Sequence, residues 1–296
     1  MTPTIGLLSL ILLAPQDPAG LVEKLKSKDA DEIDNATVDL LKAGGTAIRP
    51  LRDAAAASQD ADFRKRANGV ADRIEIRLAA AGLAKNWGDR WYSVYISAVH
   101  VGWFQVKIEE KEGKLAVFEH LKLQLNKDVV FEIKATLTCE PNEYLTPTGI
   151  SLDLASPENS AVATAQLKDG RLVVKTGGEV KAHKVRPNMT VDLLVFPLVT
   201  LLPKTEGFDV EILALIKPKL PVSAVIKFDK EQSVDHGGKK VKTKRFVVAD
   251  GESSDKYYYV DGEGQLLRVE MTSDDNREVE IVLSDEKKAK DIDTKD

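Results

Sequence analysis

Cysteine is almost absent from the sequence: Cys139 stands alone. One thiol cannot close a disulfide within the chain or build a cysteine-based zinc site. Histidine is nearly as scarce. His100, His120, His183 and His236 are the only four, and no two of them stand at the i,i+2 or i,i+4 spacing that puts two imidazoles on one ion. No metal ligand is therefore assigned. The glycine signatures of phosphate binding are missing as well. There is no Walker loop, and Gly262-Glu263-Gly264 lacks the third glycine of a dinucleotide fingerprint. Gly149-Ile150-Ser151-Leu152 is followed by Asp153 where a nucleophile elbow needs a second glycine. No cofactor and no catalytic residue is assigned.

Charge of one sign does not accumulate either. Lys and Arg number 42 against 47 Asp and Glu, a formal net charge of -5. Nucleic-acid binding calls for a concentrated basic field, so no nucleic-acid partner is expected. The cluster Lys239, Lys240, Lys242, Lys244, Arg245 alternates along a strand and reads as its solvated face. The longest apolar stretch near the start, Ile5 to Leu13, falls well short of the about 20 residues a membrane-spanning helix needs. It reads as the apolar region of a secretory signal over residues 1–17, although no Lys or Arg precedes it and Ala14 is followed by Pro15. The other reading is an element belonging to the fold. A periplasmic or secreted location follows from the first.

What the chain does have is two kinds of periodicity. From Pro18 to about Gly82, residues 18–84 in domain terms, apolar residues recur at helical spacing. Leu21, Val22 and Leu25 open the pattern, and Gly44-Gly45 interrupt it. Phe63, Ala67, Val70, Ile74 and Leu78 form a stripe that Asp60 or Asp62 would cap. The stretch LLKAGGTAIRPLRDAAAA followed by DADFRKRANGVADRIE resembles a HEAT or armadillo repeat over about 60 residues. An unrelated small helical bundle reads equally well. Lys85 to Arg90 marks the expected boundary.

After it the period changes to two. Leu115, Val117, Glu119, Leu121, Leu123 and Leu125 share one side of a strand; Ala116, Phe118 and His120 share the other. Trp91 to Leu125 reads as three consecutive antiparallel strands. Glu112-Gly113 and Asp169-Gly170, the latter in LKDGRL, are hairpin signals. Strands so joined make antiparallel meanders. Cys139 continues the set Phe131, Ile133, Ala135, Leu137 and is expected to be buried. One stretch departs from this: Thr190 to Leu202, TVDLLVFPLVTLL, reads as a short helix or two turns plugging one side of a curved sheet, since Pro197 argues against a single straight helix. Residues 285–296 read as a disordered charged tail.

The stretch YSVYISAVHVGWFQVKIEEKEGKLAVFEHLKLQL, together with VVADGESSDKYYYVDGEGQLLRVEMTSDDNREVEIVLSDEK, resembles secreted bacterial β proteins related to the periplasmic lipoprotein-carrier (LolA-like) half-barrel superfamily. That resemblance implies an incomplete antiparallel barrel around a helical lid and an acyl-chain ligand.

The fold expected is α+β: a small helical, HEAT-like N-terminal segment before a large curved antiparallel sheet or half-barrel over residues 87–284, with a short helical plug. The function expected is non-catalytic binding or carriage of a hydrophobic, lipid-like small molecule, with Trp103, Phe118, Leu121, Leu194, Phe196 and Tyr258 as its contacts. The alternative is an interaction module of the cell envelope that docks a protein partner through the helical segment. A hydrolase acting on glycans or esters is a third reading; it requires a cleft with two or more convergent polar side chains of shifted pKa. The 47 acidic residues are too many to single out such a pair by sequence.

Overall fold

The computed structural model describes residues 17–125, 130–155, 160–176, 178–215, 221–251, 253–273 and 275–292. The apolar run at 5–13 lies outside them, and with it the expected signal. The chain divides into two compact units between Glu75 and Ile76. This falls inside a helix and ahead of Lys85, because Ile76, Ala80, Leu83 and Trp87 already belong to the core of the second unit.

The first unit contains α1 (Pro18–Lys24), α2 (Ala30–Ala43), α3 (Gly45–Ala57) and the start of α4 (Ala61–Ala81). Asp17, Asp29 and Asp60 each offer a carboxylate to free backbone N–H groups at a helix start. The stripes seen in the sequence meet as one core around Leu25, Leu40, Leu51, Phe63 and Ile74. Arg52 crosses from α3 to pair with Asp72 and Glu75 of α4.

The second unit continues through α4 and α5 (Leu83–Trp87) into strands β1 (Asp89–Ile96), β2 (Val99–Lys111), β3 (Lys114–Gln124), β4 (Val130–Cys139), β5 (Pro147–Ala155), β6 (Ser160–Lys168), β7 (Arg171–Thr176), β8 (Glu179–Lys184) and β9 (Met189–Val191). A short 3-10 turn (Asp192–Leu194) and α6 (Val195–Leu201) follow. Then come β10 (Phe208–Leu213), β11 (Val222–His236), β12 (Lys239–Ala249), β13 (Lys256–Asp261), β14 (Leu266–Thr272), β15 (Glu278–Ser284) and α7 (Glu286–Lys290).

All fifteen strands form one sheet in the order 8-7-6-5-4-3-2-1-15-14-13-12-11-10-9. Two meanders are thus joined by the antiparallel pairing of β1 with β15, for example Tyr92 opposite Leu283. Every pairing is antiparallel except that of β9 with β10. The hairpins turn where the sequence placed them. Asp169 and Gly170 have φ of 51° and 70°, the two positive angles whose twist matches the flanking strands. The sheet is bent strongly enough that β5 meets β9 from the opposite meander and the Tyr144 ring, just before β5, packs at a tilt against Phe208 of β10, 5.0 Å between centres.

Alternation assigns one side of every strand to the concave face. Tyr92 and Val94, Phe104 and Val106, Val117 and Glu119, Ile133 and Ala135, Phe246, Tyr258 and Val269 all point there and are buried. Gly102 on β2 explains how tightly β2 and β3 run: a Cβ at this position would stand 2.0 Å from the Lys122 carbonyl oxygen. The segment Asp192–Leu201 lies in the hollow, as the expected plug does. Pro197 is tolerated because α6 begins only at Val195, so the proline occupies its first turn, where no helical N–H bond is lost. Thr190, the first residue of the expected plug, is part of β9. Phe196 packs its ring edge-on against Tyr92 (6.3 Å), Phe104 (5.1 Å) and Tyr258 (5.8 Å).

The C-terminal residues differ from the disordered tail expected for 285–296. Asp285 caps α7 by accepting the Lys288 N–H at 2.8 Å. Ala289 is fully buried, and the Lys290 ammonium sits 4.4 Å from the centre of the Trp91 ring on the convex face. Residues 293–296 lie outside the described ones. A short charged segment orders here because it carries its own cap and covers exposed indole surface.

Candidate functional site

Between the concave face and the plug lies a cavity of about 320 Å³. β1, β2, β3 and β4 supply Val94, Phe104, Glu119, Leu121, Leu123 and Ile133 to its wall. The plug supplies Asp192, Leu193 and Phe196, and β13, β14 and β15 supply Lys256, Tyr258, Met271, Val279 and Ile281. Aliphatic and aromatic side chains make most of this lining. Two acids and one lysine are its charged members.

Glu119 follows from the alternation of β3. It stands in the same period-two set as Val117 and Leu121, so the strand that buries those residues buries the acid too. Its cross-strand neighbours are Val106 on β2 and Ala135 on β4, neither of which can pair with it. The side chain is 3% exposed, and neither Oε1 nor Oε2 has a hydrogen-bond partner among the described residues. Burial pushes its pKa well above the ordinary carboxyl range, and the nearby charge of Asp192 adds to this.

Asp192 enters from the plug. Burial raises its carboxyl to about 6, against the opposing pull of the backbone N–H groups of Leu215 and Leu193 and the charge of Lys256. Oδ1 accepts the Leu193 N–H at 3.0 Å and Oδ2 accepts the Leu215 N–H at 3.3 Å. Lys256 lies 3.8 Å from Asp250. Burial also raises the Tyr258 phenol, so it stays protonated.

The other buried acids are different. Asp72, Glu143 and Glu211 are each buried, and each is held by an arginine: Arg52, Arg77 and Arg186 respectively. Among the described residues no base meets Glu119.

Of the six residues expected to contact a ligand, the structure brings three together at the cavity: Leu121, Phe196 and Tyr258. Leu194 is fully buried in the core beside them and is not part of the lining. Trp103 and Phe118 project from the convex face. Trp103 packs on Trp91 at 5.1 Å and on His120 at 4.5 Å. Phe118, 37% exposed, stands opposite Lys107 and Thr136. Both follow from parity, since Phe104 and Glu119 on either side of them take the concave positions. Sequence reasoning passed over Glu119 and Asp192, although each is a lone acid inside an apolar set.

Among the described residues no group of three or more His, Cys, Asp or Glu side chains is placed to hold a metal ion. Burial pushes the Cys139 thiol up to about 12, which leaves it unreactive. His120 contacts Glu132 at 2.6 Å and lies opposite Gln105, so it does not form a strand pair with His100. No described helix is long and apolar enough to cross a membrane.

No protein-family model and no curated protein matches the sequence. Among solved structures, the chain is similar to a β-barrel-like protein of the domain of unknown function DUF1849 from Brucella abortus, with TM-score 0.46, 9% identity, and 66% of this chain and 94% of that one covered. It is also similar to a DUF1089 family protein from Pseudomonas aeruginosa, with TM-score 0.36, 11% identity and coverage of 55% and 87%. The hypothetical lipoprotein YmcC from Escherichia coli aligns with TM-score 0.26, 8% identity and coverage of 67% and 86%.

Proposed function

We propose that the protein is a non-catalytic, exported binding or carrier protein for a hydrophobic ligand held between the concave sheet and its plug. The observation that carries this reading is the cavity of about 320 Å³ with its predominantly aliphatic and aromatic wall. Its size lies within the range of small-molecule pockets, and such pockets combine apolar walls with a few placed polar groups. Export rests on the apolar run Ile5–Leu13. The contacts are Leu121, Leu123, Phe196 and Tyr258; Trp103 and Phe118 face the other way and Leu194 lies in the core behind.

The test is direct. Naphthalene, an apolar probe without a polar head, should bind the purified chain in ligand-detected NMR. Leu121→Trp, which fills the cavity from β3, should abolish that binding with the circular dichroism spectrum unchanged. Binding that survives the substitution places the ligand elsewhere and defeats the reading.

Acid–base hydrolysis is the second reading, favoured by Glu119 and Asp192 as two acids of raised pKa at one cavity. It requires turnover of p-nitrophenyl esters or glycosides that Glu119→Gln abolishes.

A further inference from the structure

We propose that the cavity selects amphiphiles whose polar head donates hydrogen bonds, an alkylammonium or an alkanol rather than a fatty acid, and that Glu119 receives this head. The inference rests on the hydrophobic-ligand reading and specifies which hydrophobic ligand.

Consider what each polar group of the lining has already been given. The Asp192 oxygens accept two backbone N–H groups. Lys256 stands beside Asp250. The Glu119 oxygens have no partner among the described residues. A buried carboxyl without partners costs more than almost any other single group, whether it stays protonated or ionises. A donor supplied by a ligand removes that cost at the moment of binding. Val106 and Ala135, its two cross-strand neighbours, supply no donor, and the buried Tyr92 hydroxyl on the same face makes no hydrogen bond to it.

The sign of charge points the same way. Two carboxyls and one lysine line the cavity, and the lysine already faces a third acid outside it. A carboxylate head would add a negative group beside Glu119 and Asp192. An ammonium would instead favour release of the Glu119 proton to solvent and form a charge-assisted hydrogen bond with the resulting carboxylate in a place shielded from water. A hydroxyl would donate to the same oxygens without charge. The cavity of about 320 Å³ holds the liquid volume of about ten waters, which sets the tail at about ten heavy atoms.

The experiment uses the full chain at neutral pH, with decylamine, 1-decanol and decanoate titrated below their micelle concentrations and naphthalene as the headless probe. Decylamine and decanol should bind at least about tenfold more tightly than decanoate. Glu119→Met, which keeps the side-chain length and removes both acceptors, should bring decylamine and decanol down to the decanoate level while naphthalene binding persists. Glu119→Gln should weaken decylamine while leaving decanol within a few-fold, since the amide oxygen still accepts. Decanoate binding as tightly as decylamine and decanol overturns the proposal, and so does unchanged binding of both in Glu119→Met. Should naphthalene bind and none of the three amphiphiles displace it, the head-group assignment fails while the hydrophobic cavity stands. Should naphthalene also fail to bind, both fall together.

Discussion

A carboxyl kept for a ligand is a carboxyl that weakens the empty fold, and Glu119 allows the size of that effect to be worked out. Glu119→Met replaces an acid by an unbranched apolar side chain of similar length, so it leaves no large void and forces little repacking. It removes two oxygens that are buried without partners. Leaving one such group unsatisfied costs about 1–3 kcal/mol. The variant should therefore be more stable than the parent by about 2 kcal/mol at neutral pH. For a unit of the size of residues 76–296 that corresponds to a rise of about 4–8 °C in Tm.

The gain also carries a pH signature. Burial raises the Glu119 pKa, so the folded state keeps a proton that the unfolded chain gives up above about pH 4.3. The parent then loses stability as pH rises through that window, and the Met variant lacks this loss. Its advantage should be largest near neutrality and should shrink towards pH ~4, where both states of the parent are protonated. Urea denaturation followed by tryptophan emission measures this cleanly, because Trp87, Trp91 and Trp103 all belong to the second unit. A Met variant less stable than the parent at neutral pH, or one with the same advantage at both pH values, would refute the reasoning.

Three further outcomes follow from the same geometry. Phe196→Ala removes the ring that joins Tyr92, Phe104 and Tyr258; it should cost about 3–5 kcal/mol in urea denaturation, and a loss below about 1 kcal/mol would mean that the plug is not part of the core. Asp192 rises from its ordinary 3.8 to about 6, so its contribution is intact below about pH 4 and about 3 kcal/mol of it is lost by the time pH passes 6; in Asp192→Asn the fall of stability across that window should be shallower by about this amount, and an unchanged slope would count against the buried carboxyl. Ala289→Glu places a charge at a fully buried position of α7; it should release the helix from the convex face, shifting tryptophan emission to the red and raising acrylamide quenching with little change in the urea midpoint, whereas unaltered emission would show that α7 does not shield Trp91.

Much of the second unit could be read from the residues because its information is local. A period of two and a two-residue turn such as Asp169-Gly170 declare a hairpin without reference to anything distant. The plug was legible for the same reason, being the one apolar run bounded by prolines where alternation stops. The pairing of β1 with β15 and the parallel pairing of β9 with β10 were not legible, since each joins segments far apart in sequence. The helical boundary shifted because α4 is continuous while its last turns, Ile76 and Ala80, pack into a different core. Trp103 and Phe118 face the convex side because parity along β2 and β3, not ring size, decides which rings turn inward. Leu121 and Tyr258 hold inward positions on β3 and β13, and Phe196 reaches the cavity from α6.

The two acids of the cavity show where sequence reading reaches its physical limit. An acid in an apolar set is visible in the sequence at both Glu119 and Asp192, but visibility does not separate a structural acid from a functional one. The separating quantity is whether a base reaches it. Glu143 is as deeply buried as Glu119, and Arg77, which satisfies it, lies 66 residues away; Arg186 and Glu211 are 25 apart, and Arg52 and Asp72 are 20 apart. No local pattern announces such pairs, because the fold alone brings their members together. Once it has done so, Asp72, Glu143 and Glu211 are tied into the structure by arginines, and Glu119 is left facing a hollow. A group that lowers stability and finds no compensation among the described residues is accounted for most simply by compensation from outside the chain.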